Sequence, residues 1–164
     1  MLKANFITAQ EAAEKIQDGS TLCTIGMTLV SASESILKAI EKRFETVGHP
    51  ADITLVHSCG QSDRKDGIQH LAHEGLVKRI IGSHWGLQPR WMEMIANSQV
   101  EAYCLPQGQI AQLYRSMACG LPGKMSKVGL GTFIDPRVEG GKMNDRTKPL
   151  PDIVDILEYS GEEY

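Results

Sequence analysis

The sequence lacks three features that would assign it to a special class of protein. Its 17 basic and 20 acidic residues nearly cancel, to a formal net charge of −3, so there is no strong positive charge to attract nucleic acid or anionic lipid. No apolar run approaches the roughly 20 residues that span a bilayer. The amino terminus passes at once into a charged helical pattern and lacks the apolar core of a signal peptide. We therefore expect a cytoplasmic protein with neither a nucleic-acid nor a membrane partner.

The cysteines are few and far apart, which argues against two further classes. The chain has four, and no two of them form a C-x-x-C pair: Cys23, Cys59, Cys104 and Cys119. This spacing favours reduced, mostly buried thiols over a disulfide framework or a zinc site.

What the chain does have is enough apolar sequence for one ordinary domain. It is 164 residues long and 41% hydrophobic, which suffices to bury a core. Short apolar segments predict five strands, at 20–26, 53–57, 76–81, 100–105 and 128–132. Amphipathic segments predict helices that begin near Thr8, Ser33, Pro89 and Gly108, the first with a Thr8-x-x-Glu11 capping box. This alternation is typical of an α/β fold with a mainly parallel sheet flanked by helices.

The most informative run is GLGTFIDPR, from Gly129 to Arg137, followed by EGGKMN. Its pattern predicts a buried strand that opens onto a loop, because Asp135 before Pro136 is held extended and the two later glycines permit a turn. Ligands of parallel α/β sheets bind beyond the carboxyl ends of the strands, and most of the predicted ends here are rich in glycine or proline. An ordinary surface connection is the commoner meaning of such a run taken alone.

The last residues predict a hairpin that is cut short. Ser160-Gly161 is a turn dipeptide, yet only three residues follow it before the sequence stops at Tyr164. A returning strand usually needs several residues, and without it a sheet edge would stay bare. We therefore expect residues 1–164 to be part of a domain that ends inside a predicted hairpin, either a fragment or one piece of a larger assembly.

Four runs, in order along nearly the whole chain, resemble the amino-terminal half of family I coenzyme A transferases of the short-chain acyl-CoA:acetate or acetoacetate type. They are FITAQEAAEKIQDGSTL (6–22), HLAHEGLVKRIIGSHWGLQP (70–89), AYCLPQG (102–108) and GLGTFIDPR with EGGKMN (129–144). The resemblance implies one half-domain of a NagB/RpiA-like protein. In that family two related α/β halves enclose the active site between them.

The resemblance also implies a chemistry. A glutamate attacks the acyl thioester, an anhydride forms, and a glutamyl-CoA thioester follows, so CoA is a substrate and no cofactor is expected. The family's glutamate belongs to the carboxyl-terminal half, and His73-Glu74-Gly75 is only a superficial echo of its context. This chain alone is therefore expected to be inactive. The implied partners are acyl-CoA, a small carboxylate, the carboxyl-terminal half and further copies in a homo-oligomer.

The resemblance places an oxyanion loop on Gly26 and Met27. The family pattern has further glycines, whereas this sequence has Ile25, Leu29 and Ser31 near those positions. Glycine lets a backbone N–H turn toward an oxyanion without a Cβ in the way. The Met27 N–H is still expected to donate, because its side chain can point away. The loop is thus degenerate but usable.

Other residues are expected to contact substrate or CoA: Gln107, Gly108, Gly131, Thr132 and Phe133. Gln107 follows a strand end, where it could bind a substrate carboxylate or simply cap the next helix. Phe133 is expected in the acyl pocket, and Asp135 with Arg137 in a structural ion pair.

Histidines and methionines raise the question of a metal, and we expect none. His70 and His73 lie three residues apart, but no third ligand is evident, so a structural pair is preferred. Met92, Met94 and Met117 recur at helical spacing, which favours the core over a soft-metal site. Trp85 is expected in the core or in the lining of a site, with His84 packing the same loop against the sheet.

Two functions from different classes stay open. The first is the amino-terminal part of an acyl-CoA transferase. The second is a non-catalytic acyl-CoA-binding or assembly module, which the missing glycines and the missing glutamate favour. A sugar-phosphate isomerase is weaker, because Lys124 and Lys127 alone do not supply a phosphate site.

Overall fold

A four-stranded parallel sheet organises the chain. The structure is a computed structural model that describes residues 4–164. Its strands lie side by side in chain order: β1 (Thr21–Thr24), β2 (Ile53–His57), β3 (Val77–Gly82) and β4 (Glu101–Cys104). Because all three pairings are parallel, the four carboxyl ends meet at one edge. The predicted α/β architecture is confirmed.

Helices flank the sheet and begin where the sequence signals place them. They are α1 (Ala9–Glu14), α2 (Glu34–Val47), α3 (Pro89–Ala96) and α4 (Gln107–Ala118), with a short 3-10 helix at Gly67–Leu71. The capping box of α1 is present, since the Glu11 N–H donates to Thr8 Oγ1 at 3.2 Å and the Thr8 N–H donates to the Glu11 carboxylate at 2.7 Å. α2 ends at Gly48, whose φ of 74° lies in the left-handed region that glycine favours. Among the described residues, no helix is both long and apolar enough to span a membrane.

The larger apolar cluster lies on one face of the sheet. The register aligns one residue of each strand across that face, in the row Leu22, Leu55, Ile80 and Ala102. This row belongs to the same apolar cluster as Leu37 and Ile40 of α2 and Trp91 of α3. Burial of this cluster is the main stabilising contribution, at about 25 cal/mol per Å² of apolar surface. The Trp91 indole N–H is satisfied by the Ile68 carbonyl at 2.9 Å.

The predicted fifth strand at 128–132 is wrong. These residues form consecutive turns, and Gly129 and Gly131 have φ values of 114° and 69° that take the chain out of the extended region. The buried Asp135 carboxylate accepts the Gly131 N–H at 2.7 Å and pairs with Arg137, also at 2.7 Å. The predicted Asp135–Arg137 ion pair is therefore confirmed. These contacts hold the pKa of Asp135 well below its usual range, and they curl the segment around one carboxylate.

The chain ends in a small hairpin of its own. β5 (Glu158–Tyr159) and β6 (Glu162–Glu163) are antiparallel and form a separate two-stranded sheet. Ion pairs join the hairpin to the turn segment: Arg137 to Glu163 at 2.9 Å and Lys127 to Glu162 at 2.8 Å. The expectation that residues 1–164 are part of a longer domain remains a prediction.

Two burial expectations are corrected. Cys23 and Cys119 are exposed, and the other two thiols are half-buried rather than buried. Met94 lies in the core, but Met92 and Met117 are 50% and 39% exposed. The apolar stripes of α3 and α4 are narrower than the methionine spacing indicated, because Trp91 and Ile110 take the inward positions.

Replacing Gly82 by alanine tests the packing at the carboxyl edge of β3. An added Cβ would lie 2.4 Å from His57 Nε2 and 3.0 Å from the Trp85 ring, so we expect Gly82→Ala to lower the free energy of unfolding by about 1–3 kcal/mol. Gly108→Ala is the control, because no heavy atom lies within 4 Å of its added Cβ in α4. It should be neutral or raise stability by up to about 1 kcal/mol. Equal urea midpoints for both variants would contradict this packing.

Candidate functional site

An open cleft of about 550 Å³ lies at the carboxyl edge of the sheet. All four loops that follow the parallel strands line it, as does one residue of the later turn segment. The lining residues are Met27, Thr28, Cys59, Gly60, Ser83, His84, Leu87, Cys104, Leu105, Pro106, Gln107 and Ile134. None of these described residues is an aspartate or a glutamate. The cleft can therefore offer backbone and side-chain hydrogen bonds, thiols and an imidazole, but no carboxylate of its own.

The loop after β1 carries the predicted oxyanion residues Gly26 and Met27. Gly26 has a φ of 142°, and a Cβ there would lie 2.9 Å from the Val30 carbonyl oxygen, so only glycine fits. The Met27 N–H donates to that same oxygen at 3.1 Å, and the Val30 N–H returns a bond to Met27 at 2.9 Å. The donation of Met27 to an oxyanion remains a prediction, and it requires the Met27–Val30 bond to open.

Two residues of the same loop that are not glycine have the left-handed backbone conformation that glycine favours. Thr28 and Ser31 have φ values of 53° and 63°, in the left-handed region that costs a non-glycine residue about 1–2 kcal/mol. Ser31 is one of the positions where the family pattern led us to expect glycine. Its side chain has changed, but its backbone conformation is the one that glycine would adopt. The Thr28 N–H also donates to the Gly60 carbonyl at 2.9 Å, which docks this loop onto the loop after β2.

Gln107 lines the cleft at the start of α4. The N-cap position of α4 is Pro106, so Gln107 is the first helical residue and does not cap the helix. Its side chain is exposed and free to meet a ligand in the cleft. Gly108 follows it in the first turn, with open space where a Cβ would be.

The turn segment reaches the cleft through Ile134. Gly131, Thr132 and Phe133 are exposed and lie outside the lining, and Phe133 is 38% exposed. Thr132 Oγ1 donates to the Gly129 carbonyl at 2.7 Å, and the Phe133 carbonyl accepts the Gly141 N–H at 3.0 Å. Substrate contact by these three residues remains a prediction, and the structure brings their neighbour to the cleft instead.

Ser83 and His84 line the cleft, whereas the sequence pattern favoured a packing role for His84 and did not single out Ser83. The imidazole of His84 fits between two glycines, since a Cβ on Gly60 would lie 2.7 Å from Nδ1 and a Cβ on Gly86 would lie 3.2 Å from Nε2. Ser83 Oγ donates to the Ser58 carbonyl. The sequence signal that could have indicated His84 is the pair Gly82 and Gly86, which lie two residues before and after it. Trp85, by contrast, is buried and packs edge-on against His57, with ring centroids 4.8 Å apart.

His57 is the buried ring beneath this loop. Its Nδ1 lies 2.8 Å from the Cys59 carbonyl, and because a carbonyl only accepts, Nδ1 carries the proton. Its Nε2 has no hydrogen-bond partner among the described residues. Burial lowers the pKa of His57 to about 4, and the proximity of His84 acts in the same direction. The imidazole is therefore neutral near pH 7 and supports the cleft rather than carrying charge in it.

Comparisons with known proteins give matches over nearly the whole chain. A family model described as "Coenzyme A transferase" matches residues 6–164. The chain is 42% identical over 162 residues to a caffeate CoA-transferase of Acetobacterium woodii, covering 98% of this chain and 30% of that protein. It is 37% identical over 160 residues to the acetate CoA-transferase YdiF of Escherichia coli K12, covering 96% and 30% respectively. A solved acyl-CoA transferase (YdiF) from E. coli O157:H7, in a thioester complex with CoA, superimposes with a TM-score of 0.87 at 36% identity, covering 96% of this chain and 31% of that one. The chain thus spans about a third of the length of these relatives.

The buried His57 should make stability depend on acid. In the unfolded chain His57 takes up a proton as the pH falls through 6.5, but in the folded chain it does so only near pH 4. The stabilisation that neutral His57 adds to the free energy of unfolding is therefore complete above pH 6.5. It is lost as the pH falls toward 4, by up to about 3 kcal/mol. Urea unfolding of the chain and of His57→Gln, from pH 7.5 to 4.5, measures this. Between pH 6.5 and 4.5 the free energy of unfolding should fall less steeply with pH in the variant than in the parent chain. Parallel curves of unfolding free energy against pH would contradict a low pKa for His57.

Proposed function

The chain belongs to the coenzyme A transferase family, and from that premise we propose that it is the amino-terminal part of an acyl-CoA transferase. The whole protein would move CoA between a short-chain acyl-CoA and a carboxylate through a glutamyl-CoA thioester. The nucleophilic glutamate would come from a carboxyl-terminal half that this chain does not contain. The observation that carries the proposal is a cleft rich in hydrogen-bonding groups whose described lining includes no carboxylate.

The proposed reaction proceeds in balanced steps. The glutamate carboxylate attacks the thioester carbonyl, the C–S bond breaks, and an acyl-glutamyl anhydride forms with release of CoA thiolate. The thiolate then attacks the glutamyl carbonyl, which gives a glutamyl-CoA thioester and frees the first carboxylate. An acceptor carboxylate reverses both steps and leaves as the new acyl-CoA. Each addition creates an oxyanion that needs positioned donors.

In this scheme the chain supplies binding and positioning. The loop from Gly26 to Ser31 would provide the oxyanion donor once the Met27 N–H is released from Val30. Gln107 would donate its side-chain amide to the acceptor carboxylate. Ile134 and Leu87 would provide apolar surface for a short acyl group. Glu74 is exposed and lies outside the cleft lining, so it is not proposed as the nucleophile.

The partners follow from the same proposal. The loop after β1 exposes Ile25, Met27 and Val30 by 64%, 61% and 69%, and apolar surface of this kind beside a cleft fits a covering protein surface. We propose the carboxyl-terminal half as that cover, with acyl-CoA and a small carboxylate bound between the halves. A cytoplasmic homo-oligomer that needs no cofactor completes the proposal, since CoA itself is a substrate.

One observation favours the alternative of a non-catalytic acyl-CoA-binding or assembly module. The Met27 N–H, which should stabilise the oxyanion, is already occupied by Val30 at 3.1 Å. A loop locked in this way would hold a thioester without accelerating its attack.

A reconstitution assay decides between the two functions. The chain would be joined to or mixed with a carboxyl-terminal half, and the transfer of CoA from acetyl-CoA to an acceptor carboxylate, with release of acetate, would be measured. We expect no transfer by the chain alone and turnover by the complete assembly. Acyl-CoA binding in calorimetry without turnover, under conditions where a relative is active, would instead support the binding module.

A Gly26→Ala variant of the complete assembly tests the oxyanion loop. The new Cβ would press on the Val30 carbonyl and displace the Met27 amide, so kcat should fall by roughly 10²–10³, the loss typical of one missing oxyanion donor. Gly123→Ala is the matched control, because its added Cβ meets no heavy atom within 4 Å and it lies outside the cleft lining. If Gly26→Ala folds normally and keeps full kcat, this loop is not the oxyanion site.

A further inference from the structure

A group of side chains that could ligate a metal ion lies between α2 and the 3-10 helix, outside the cleft lining. We propose that Glu34, Asp66 and His70 form a binding site for a divalent cation of the Zn²⁺ type. The inference is independent of the transferase function, because it rests on these three side chains and their neighbours alone.

The three ligand atoms lie close enough together for one small cation to contact all of them. His70 Nε2 lies 2.8 Å from Glu34 Oε1 and 3.3 Å from Asp66 Oδ1, and all three atoms lie within 4.8 Å of one another. Ligands bound to zinc at roughly 2.0–2.1 Å in a tetrahedron are roughly 3.3 Å apart. One imidazole nitrogen and two carboxylate oxygens are donors that zinc accepts, and they leave the fourth position to water.

The ligands are held by a separate set of contacts. The second oxygen of Glu34 accepts the Gly67 N–H at 2.9 Å. The other ring nitrogen of His70 contacts the Glu41 carboxylate, whose second oxygen pairs with His73 Nε2 at 2.9 Å. A carboxylate behind a histidine is the usual device that fixes its orientation toward a metal. His70 and Glu41 are only 13% and 18% exposed at the side chain, so this support is rigid.

The Lys38 ammonium already occupies a position next to two of the three ligands. Lys38 Nζ lies 3.0 Å from Glu34 Oε1 and 3.4 Å from Asp66 Oδ1, the same two oxygens. Its side chain is 54% exposed and can turn to solvent. Binding is then an exchange: the divalent cation takes the position, the Lys38 ammonium leaves it, and His70 Nε2 releases its proton as the metal bond forms.

The position of the site gives it a consequence for the cleft. Glu34 is the first residue of α2, directly after the loop that contains Met27 and Thr28. Asp66 ends the loop that begins with Cys59 and Gly60. Both loops line the cleft, so a bound cation would link the ends of two of the four loops that form it.

Zinc titration of the chain by calorimetry, with zinc chloride alone, tests the proposal. We expect one saturable site that Asp66→Asn weakens at least 10-fold, although this variant keeps every cysteine and histidine. Lys38→Met should tighten zinc binding several-fold, because it removes the competing ammonium. The matched controls are Asp145→Asn and Lys148→Met, which alter another lysine–aspartate pair, at 2.6 Å, and should leave the affinity unchanged.

A second measurement keeps the test independent of folding defects. At a zinc concentration that just saturates the parent chain, the ring nitrogen shifts of His70 should have moved fully in the parent and only slightly in Asp66→Asn. Equal zinc affinity of the parent and Asp66→Asn, a Lys38→Met affinity no tighter than that of the parent, or no saturable binding below about 1 mM zinc would overturn the proposal.

Discussion

The parallel register of four short strands is the constraint on which the rest of the molecule depends. The row Leu22, Leu55, Ile80 and Ala102 can be buried under the helices only if each strand keeps this register, because a shift by one residue would turn the row to the opposite face. The same register brings the four carboxyl ends to one edge. Loops of quite different sequence therefore converge there, and the cleft follows from the packing of the core.

The loops at this edge are docked onto one another, and glycine makes the close approaches possible. Gly60 and Gly86 leave room for the His84 ring, Gly82 leaves room for His57, and Gly26 lets the chain pass beneath the Val30 carbonyl. This dense packing supplies shape and hydrogen-bond donors. It supplies no attacking carboxylate among the described lining residues, which is why the proposed chemistry requires a second half.

The sequence predicted the regular elements well and the irregular ones poorly. β2 has the predicted bounds, α3 begins at Pro89 and the capping box of α1 is present, because each signal acts through neighbouring residues. The strand at 128–132 failed because the buried Asp135 carboxylate, a non-local feature, gathers its own loop. At the site, the cleft lining includes Met27, which the family resemblance indicated, and Gln107, which its place after a strand indicated. His84 and Ile134 also line the cleft and were not predicted there. Which side chain of a turn faces inward depends on backbone angles that no periodicity records.

The most direct test of the central claim is the location of covalent CoA in the longer protein that we propose to contain this chain. The enzyme would be mixed with acyl-CoA, digested, and searched by mass spectrometry for peptides that carry CoA. The account predicts one adduct, on a glutamate outside residues 1–164. An adduct on a carboxylate within them, Glu74 or Asp135 for example, would contradict it.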